Sequence, residues 1–477
     1  MSELQRNDES DSPADRQLAA DAMPEKPKRK RRLGIRHLLL FVTLCAAGFG
    51  VWNYKCIPLL RAAELLERES DSVEFCEAGE IEVNPLTGLE QFAYRVLGIN
   101  VDFRNVRAID VTDLESLAGL QQFENLQEFS SNGGEILDLS PLSELKSLRV
   151  IYICGFAGDI DLSPLNGLPN LEELYVESEL LTELASLGDC PKLLDLEILA
   201  PDLENIQQLE SAVSLVRLCI SDSQVNDITC LRKLKNLKSL DLSCGSIENV
   251  SALSELSELE NLDLNDTFVR DISAVSHMPL LKRLKISRTE VSDLAPLANL
   301  SELTHLELAD CALAGIEPLA PLGGLGKLEE VDLSGCPVAE VAFLKSSGDA
   351  LRILNLARTK IDDVEFFKRC PNLWKLNICD TKVTDLSPLL TENSATRNSW
   401  LNLKMAGVTL DRPETLKHID YMITLNISRT NVTKPAYLPI DLKFLIAEDL
   451  DIDLERVKEL LPACSINEGH GDGRWTR

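Results

Sequence analysis

The sequence predicts an α/β solenoid: a curved parallel β-sheet whose strands are joined by short helical or 3₁₀ return segments, preceded by one transmembrane helix. Three observations predict it. First, "KSLDLSCGSIENVSAL" (238–253), "ENLDLNDTFVRDISAV" (260–275) and "KRLKISRTEVSDLAPL" (282–297) place their apolar residues identically at a spacing of 22 residues. Units that cannot bury an apolar face alone do so by stacking on their neighbours. Second, aromatic residues are only 5% of the chain while hydrophobic residues are 44%, so the core must be aliphatic. Third, a basic run and then a stretch of unbroken low polarity stand near the amino end.

Residues 1–32 are polar, lack aromatic residues and end in "KPKRKRR", the composition of a disordered cytoplasmic tail. Residues 33–54 contain "LGIRHLLLFVTLCAAGFGVW". Two readings compete there. A cleaved signal peptide would use Ala46 to Gly48 as its small-residue site. A signal anchor would span a hydrocarbon core of about 30 Å with about 20 residues, seating Trp52 and Tyr54 in the far interface. The anchor is favoured because a long acid-rich segment before the basic run is unusual for a signal peptide. The basic cluster at 26–32 then stays in the cytoplasm, which puts everything after the anchor outside. That part carries 39 basic against 70 acidic residues, a net of −31. Residues 55–105 form a juxtamembrane stalk, with helical spacing in "LLRAAELLERES", and an N-terminal cap.

The solenoid itself covers 106–466. Aligning on "xxLxxLxL" gives twelve units, starting near Glu124, Lys146, Pro169, Pro191, Val213, Lys235, Ser257, Pro279, Ser301, Gly326, Asp349 and Pro371. Their lengths fall in the range of leucine-rich repeats. In the unit from Lys235, Leu237, Leu240, Leu242, Ile247, Val250, Leu253 and Leu256 point inward, and Asp241 faces out between Leu240 and Leu242. Twelve strands at ~4.8 Å make an arc of about 55 Å. "LSPL" and "LAPL" set Ser or Ala before Pro, as the cap and first position of a helical turn prefer. After each strand comes Ser223, Gly245, Thr267, Thr289, Cys311, Cys336, Thr359 or Thr381, where a hydroxyl can bond nearby backbone. The period is lost at 391–400, later units are uneven, and 467–477 reads as a disordered tail.

These units resemble the 22-residue leucine-rich repeats of bacterial internalin-like proteins. The whole chain after residue 33 resembles a bacterial membrane-anchored leucine-rich-repeat family. "GLEQFAYRVLGINVDFRNVRAIDV" (88–111) looks like its N-terminal helix and first strand, and "VKELLPACSI" (457–466) like its terminal helix and last strand. The resemblance is specific for the fold and silent on the ligand.

Net charge −29 argues against a nucleic-acid partner. The 13 cysteines form no CxxC pair and indicate no zinc site; those before Pro or after the strand read as small buried hydrophobes. No HExxH, GxSxG or P-loop motif occurs, and the five histidines lie far apart. No catalytic, cofactor or metal residue is assigned, and His305 reads as solvated. A repeat fold forces outward strand positions into columns. The middle column is Tyr175, Glu197, Cys219, Asp241, Asp263, Lys285, Glu307, Asp332, Asn355 and Asn377. The candidate protein-binding face comprises Tyr175, Glu197, Asp241, Asp263, Arg283, Lys285, Glu307 and Asp332. Arg283, Lys285 and Arg288 interrupt an acidic face; either a charged polypeptide partner or internal pairing of Lys285 with Asp263 and Glu307 accounts for them. A calcium ion between Asp241 and Asp263 would lack oxygen ligands. Asn-x-Ser/Thr triplets at Asn249, Asn265, Asn299, Asn426 and Asn431 arise from the repeat consensus rather than marking glycosylation. The expected function is a membrane-anchored, non-enzymatic scaffold recognising a protein or peptide in the cell envelope. Alternatives are a structural or self-associating envelope protein, or a small-GTPase regulator, which needs a cytoplasmic location.

Overall fold

A computed structural model gives residues 72–75 and 106–467, apart from 115–116, 118–119, 135–137, 157–159, 314–316, 391–400 and 420. The expected tails, the expected transmembrane segment 33–54, most of the expected stalk and cap, and the aperiodic stretch 391–400 lie outside the described residues. Among the described residues no helix is long and apolar enough to cross a membrane.

The strands are β1 (Ser72–Phe75), β2 (Val106–Leu114), β3 (Glu128–Gly134), β4 (Val150–Phe156), β5 (Glu173–Ser178), β6 (Asp195–Leu199), β7 (Arg217–Ser221), β8 (Ser239–Asp241) and β9 (Asn261–Asp263). They continue as β10 (Arg283–Lys285), β11 (His305–Glu307), β12 (Glu330–Asp332), β13 (Ile353–Asn355), β14 (Lys375–Asn377), β15 (Leu401–Lys404), β16 (Met422–Asn426), β17 (Phe444–Ile446) and β18 (Ser465–Asn467). From β2 to β18 each strand pairs in parallel with the next along the chain, and β1 pairs antiparallel with β2. The parallel sheet is longer than twelve units because atypical repeats at both ends also contribute strands. At ~4.8 Å per step it runs about 75 Å. Most return segments carry a 3₁₀ turn, the return from β5 to β6 has none, and an α-helix, Leu454–Leu460, precedes the last strand.

Apolar residues of every unit meet in one continuous core. Leu237, Leu240, Leu242, Ile247, Val250, Leu253 and Leu256 are all buried. Cys190, Cys311, Cys336 and Cys370 are buried, as small hydrophobes should be.

The turn after each strand depends on the middle-column residue. Asp241 Oδ1 accepts the Ser243 amide at 2.9 Å and the Ser243 hydroxyl at 2.7 Å. Asp263, Asp332, Asn355, Asn377 and Asn426 accept the amide two residues on in the same way. Such an Asx turn takes that amide out of the ladder, so β8, β9, β12, β13, β14 and β16 stop at this residue. Where the position is Ser130, Tyr152, Tyr175, Glu197 or Cys219, no Asp or Asn side chain is there to close an Asx turn, and β3 to β7 run on beyond it. In β10 and β11 the neighbouring repeat serves instead: Asn265 Oδ1 takes the Ser287 amide at 2.7 Å and Ser287 Oγ takes the Ala309 amide at 3.0 Å.

Three residues past the middle column the backbone turns left-handed, at Asp222, Cys244, Asp266, Arg288, Asp310, Arg358, Asp380, Arg429 and Asp449, with Gly335 and Gly407 in the same file. Next come the hydroxyls: Thr267, Thr289, Thr359 and Thr381 donate to the carbonyl three residues back at 2.6–2.8 Å. Cys311 and Cys336 instead reach carbonyls of the preceding repeat, Ile286 and Leu308, at 3.0 Å.

The expectation for the 3₁₀ caps is corrected. Leu139, Leu162, Leu294 and Leu386 occupy the cap positions, with no side-chain cap bond. The acceptor is the Asp one residue earlier, as Asp138 takes the Ser140 amide at 2.8 Å and Asp227 the Thr229 amide at 3.0 Å. Leu fills the cap because the core claims that position, which displaces capping onto the preceding Asx.

These caps predict acid sensitivity. The Asp138 carboxyl is held below its usual range by the Ser140 hydroxyl and amide, and those of Asp227 and Asp385 chiefly by the Thr229 and Ser387 amides. A depressed folded pKa gives stability that is full above the unfolded value of about 3.9 and is lost as pH falls through the folded value. Asn205 and Asn249 already make the same bond without a charge, to Gln207 and Ser251. Replacing Asp138, Asp227 and Asp385 together by Asn is therefore expected to keep the turns and flatten the acid limb of a urea-melt series between about pH 5 and pH 2.5. An unaltered limb would reject the assignment.

Candidate functional site

The parallel register decides which outward side chains become neighbours. Tyr152, Tyr175, Glu197, Cys219, Asp241, Asp263, Lys285, Glu307, Asp332, Asn355 and Asn377 stand directly beside one another across β4 to β14. All seven middle-column candidates therefore share one file. Arg283 lies in the parallel file two residues earlier, between Asn261 and His305. Strands pack closer than the bulkier return segments, so this sheet lines the inner side of the coil.

Within the file the charges are largely occupied by each other. Lys285 Nζ lies 3.3 Å from Asp263 and 3.7 Å from Glu307. Burial works to lower the Lys285 pKa, but Glu307 and Asp263 raise it overall. Burial also pushes the carboxyls of Asp263, Glu307 and Glu197 up. Internal pairing thus accounts for Lys285, whereas Arg283 is exposed and has no ion-pair partner among the described residues. Arg288 pairs with Asp266 at the strand ends.

Asp241 and Asp263 prove to be more than solvated fillers, since each closes its own turn with Oδ1. Among the described residues no group of three or more His, Cys, Asp or Glu is arranged to hold a metal ion. His305 is not simply solvated either. Its Nδ1 lies 2.8 Å from Thr304 Oγ1 and its Nε2 3.6 Å from Glu330. Burial and the adjacent Arg283 lower its pKa against the pull of Glu330. Asn249, Asn265, Asn426 and Asn431 all spend their side chains on turn or inter-repeat bonds.

Two features of this face escape a reading of the 22-residue period. Tyr152 extends the file beyond Tyr175; the rings stand 6.0 Å apart, and Tyr152 is 41% exposed. Burial and Glu177 raise the Tyr175 hydroxyl to about 12, so it stays a neutral donor. The file also continues past Asn377 to Lys404, Asn426, Ile446 and Asn467. The 27 positions from Asn377 to Lys404 hide that continuation from period counting.

A parallel sheet of short strands, 3₁₀ return segments, Asx-closed turns and one leucine core defines a leucine-rich-repeat solenoid. An internalin from Listeria monocytogenes shares 26% sequence identity over 67% of this chain and 94% of its own, with a TM-score of 0.54. A leucine-rich-repeat protein of Leptospira interrogans is similar at 17% identity over 76% and 90%, with a TM-score of 0.59. The leucine-rich-repeat ectodomain of a plant membrane receptor kinase from Arabidopsis thaliana superposes at 18% identity and a TM-score of 0.56, over 76% of this chain and 50% of that one. No family model matches the sequence, and no curated protein matches it.

Proposed function

We propose that this protein is a membrane-anchored, non-enzymatic scaffold that recognises a protein or peptide in the cell envelope through the inner face of its sheet. The observation that carries the reading is the outward file itself: an uninterrupted row of side chains in which exposed Tyr152 stands beside half-buried Tyr175. Such a surface is pre-organised, so a ligand orders little on binding. Part-exposed aromatic rings within such a row are typical binding anchors. The Arabidopsis ectodomain of this fold is in complex with CASPARIAN STRIP INTEGRITY FACTOR 2, which is compatible with a polypeptide ligand here. Anchoring at 33–54 and an extracytoplasmic position for the repeats rest on the apolar stretch and the basic run before it.

One preparation tests both parts. Protease added to intact cells is expected to digest the repeats and spare the tail 1–32; protection of the repeats would reject the envelope location. Cross-linking of the same cells is expected to give a protein adduct that Tyr152→Ala/Tyr175→Ala reduces about tenfold or more. An adduct insensitive to that pair and to Arg283→Glu would reject the inner face as the binding surface.

A further inference from the structure

The two outward files change character along the sheet. From β5 to β12 every strand except β7 and β10 carries a carboxylate there. From β13 to β18 none does. In this second stretch Lys375 and Asn377 on β14 stand beside Asn402 and Lys404 on β15, which stand beside Thr424 and Asn426 on β16.

Neither lysine has an ion-pair partner among the described residues, unlike Arg217 and Lys285, the paired cations of the acidic stretch. In a chain of net charge −29, two cations left unpaired on adjacent strands go against the background. The amides sharpen the pattern. Asn377 and Asn426 spend Oδ1 on the Cys379 and Ser428 amides at 3.1 and 3.0 Å. The turn bond holds each Oδ1 and leaves Nδ2 outside the turn, so these residues can donate to a ligand. Trp374, 37% exposed, flanks the group at the start of β14.

We propose that the patch on β14 to β16 is an anion subsite, and that its occupant is an acidic segment of a polypeptide. Two ammonium groups and the amide Nδ2 donors beside them complement carboxylates and the carbonyls of an extended chain, and the absence of any carboxylate in the patch disfavours a cationic ligand. The repulsion that a chain this acidic exerts at long range disfavours a densely charged nucleic acid more than a short peptide. This inference rests on the inner face being the recognition surface, and it assigns to one end of that face the charge of what binds.

The test uses the full chain and a fluorescein-labelled peptide of alternating Glu and Gly, at about 0.15 M salt, where the screening length is about 8 Å. The Glu peptide is expected to bind at least about tenfold more tightly than its Gln counterpart, and to lose that advantage in Lys375→Gln/Lys404→Gln and in Lys375→Glu/Lys404→Glu. Lys360→Glu/Lys382→Glu, an equal change in net charge at exposed positions outside the two files, is expected to leave binding unchanged. No preference for Glu over Gln, equal losses in the control pair, or equally tight binding of an oligonucleotide of the same charge would each overturn the proposal. If the cellular adduct depends on Tyr152 and Tyr175 while the peptide ignores the lysines, only the anion subsite fails. If the peptide needs the lysines while no inner-face substitution alters the adduct, the broader reading fails and the subsite stands.

Discussion

Leu262→Ala is expected to destabilise the repeat domain by about 3 kcal/mol, within the range for truncating a fully buried leucine. Leu262 is 1% exposed and lies between Leu240 and Leu284 of the adjacent repeats, both also buried. A globular core can partly collapse around a lost isobutyl group. Here the strands on either side are held in register by backbone bonds, so the cavity persists and its lining loses contacts without recovering them. Nearest-neighbour coupling adds a second consequence: the repeats flanking β9 should open first, which hydrogen exchange would read as lost protection centred there. Leu180, 47% exposed, supplies the contrast; its change to Ala is expected to fall within about 0.5 kcal/mol. A urea midpoint for Leu262→Ala equal to that of Leu180→Ala would contradict the continuous-core account.

Gly335→Ala is expected to cost about 2 kcal/mol, roughly half from forcing a side chain into the left-handed region and half from what that side chain displaces. Gly335 has φ +73, and a Cβ there would overlap the carboxylate of Asp310. The overlap has a cause in the ladder of left-handed residues. Arg358 does not pair with its own neighbour but reaches over Gly335 to Asp310 at 2.9 Å, two repeats away. Arg429 reaches over Gly407 to Asp380 in the same way at 3.4 Å, and a Cβ on Gly407 would overlap Asp380. Glycine is used here as a gap through which an ion pair passes. The pairs are exposed, so each is worth little by itself; the added Cβ also has to push the Asp310 carboxylate out of the pair. Gly167 isolates the conformational part, since its φ is +82 and nothing lies within 4 Å of a Cβ built on it. Gly167→Ala should therefore cost about 1 kcal/mol, and 1 M salt should narrow the gap between the two variants only slightly. Equal losses at Gly167 and Gly335 would show that the file carries no steric constraint.

The leucine period, the strand alternation and the middle file from Tyr175 to Asn377 follow from the residues alone. A two-residue strand period combined with a 22-residue repeat leaves only one set of neighbours. The terminal helix and last strand were legible in "VKELLPACSI" through its likeness to the end of the family's chains, and in the structure Asp453 caps that helix by accepting the Arg456 amide. What the sequence could not reveal was how each polar atom is spent. Whether an outward Asp offers a free carboxylate or closes its own turn, whether Lys285 awaits a partner or already has two, and which Asp caps a 3₁₀ turn all depend on distances of about 3 Å that no spacing encodes. The same holds where the period stretches: Lys404 joins the file of Asn377 only because strand pairing absorbs the extra residues between them. Stacking is dictated by apolar periodicity, which any one repeat displays. Polar valence is settled between repeats, so only the assembled coil could decide which charges remain free to meet a ligand.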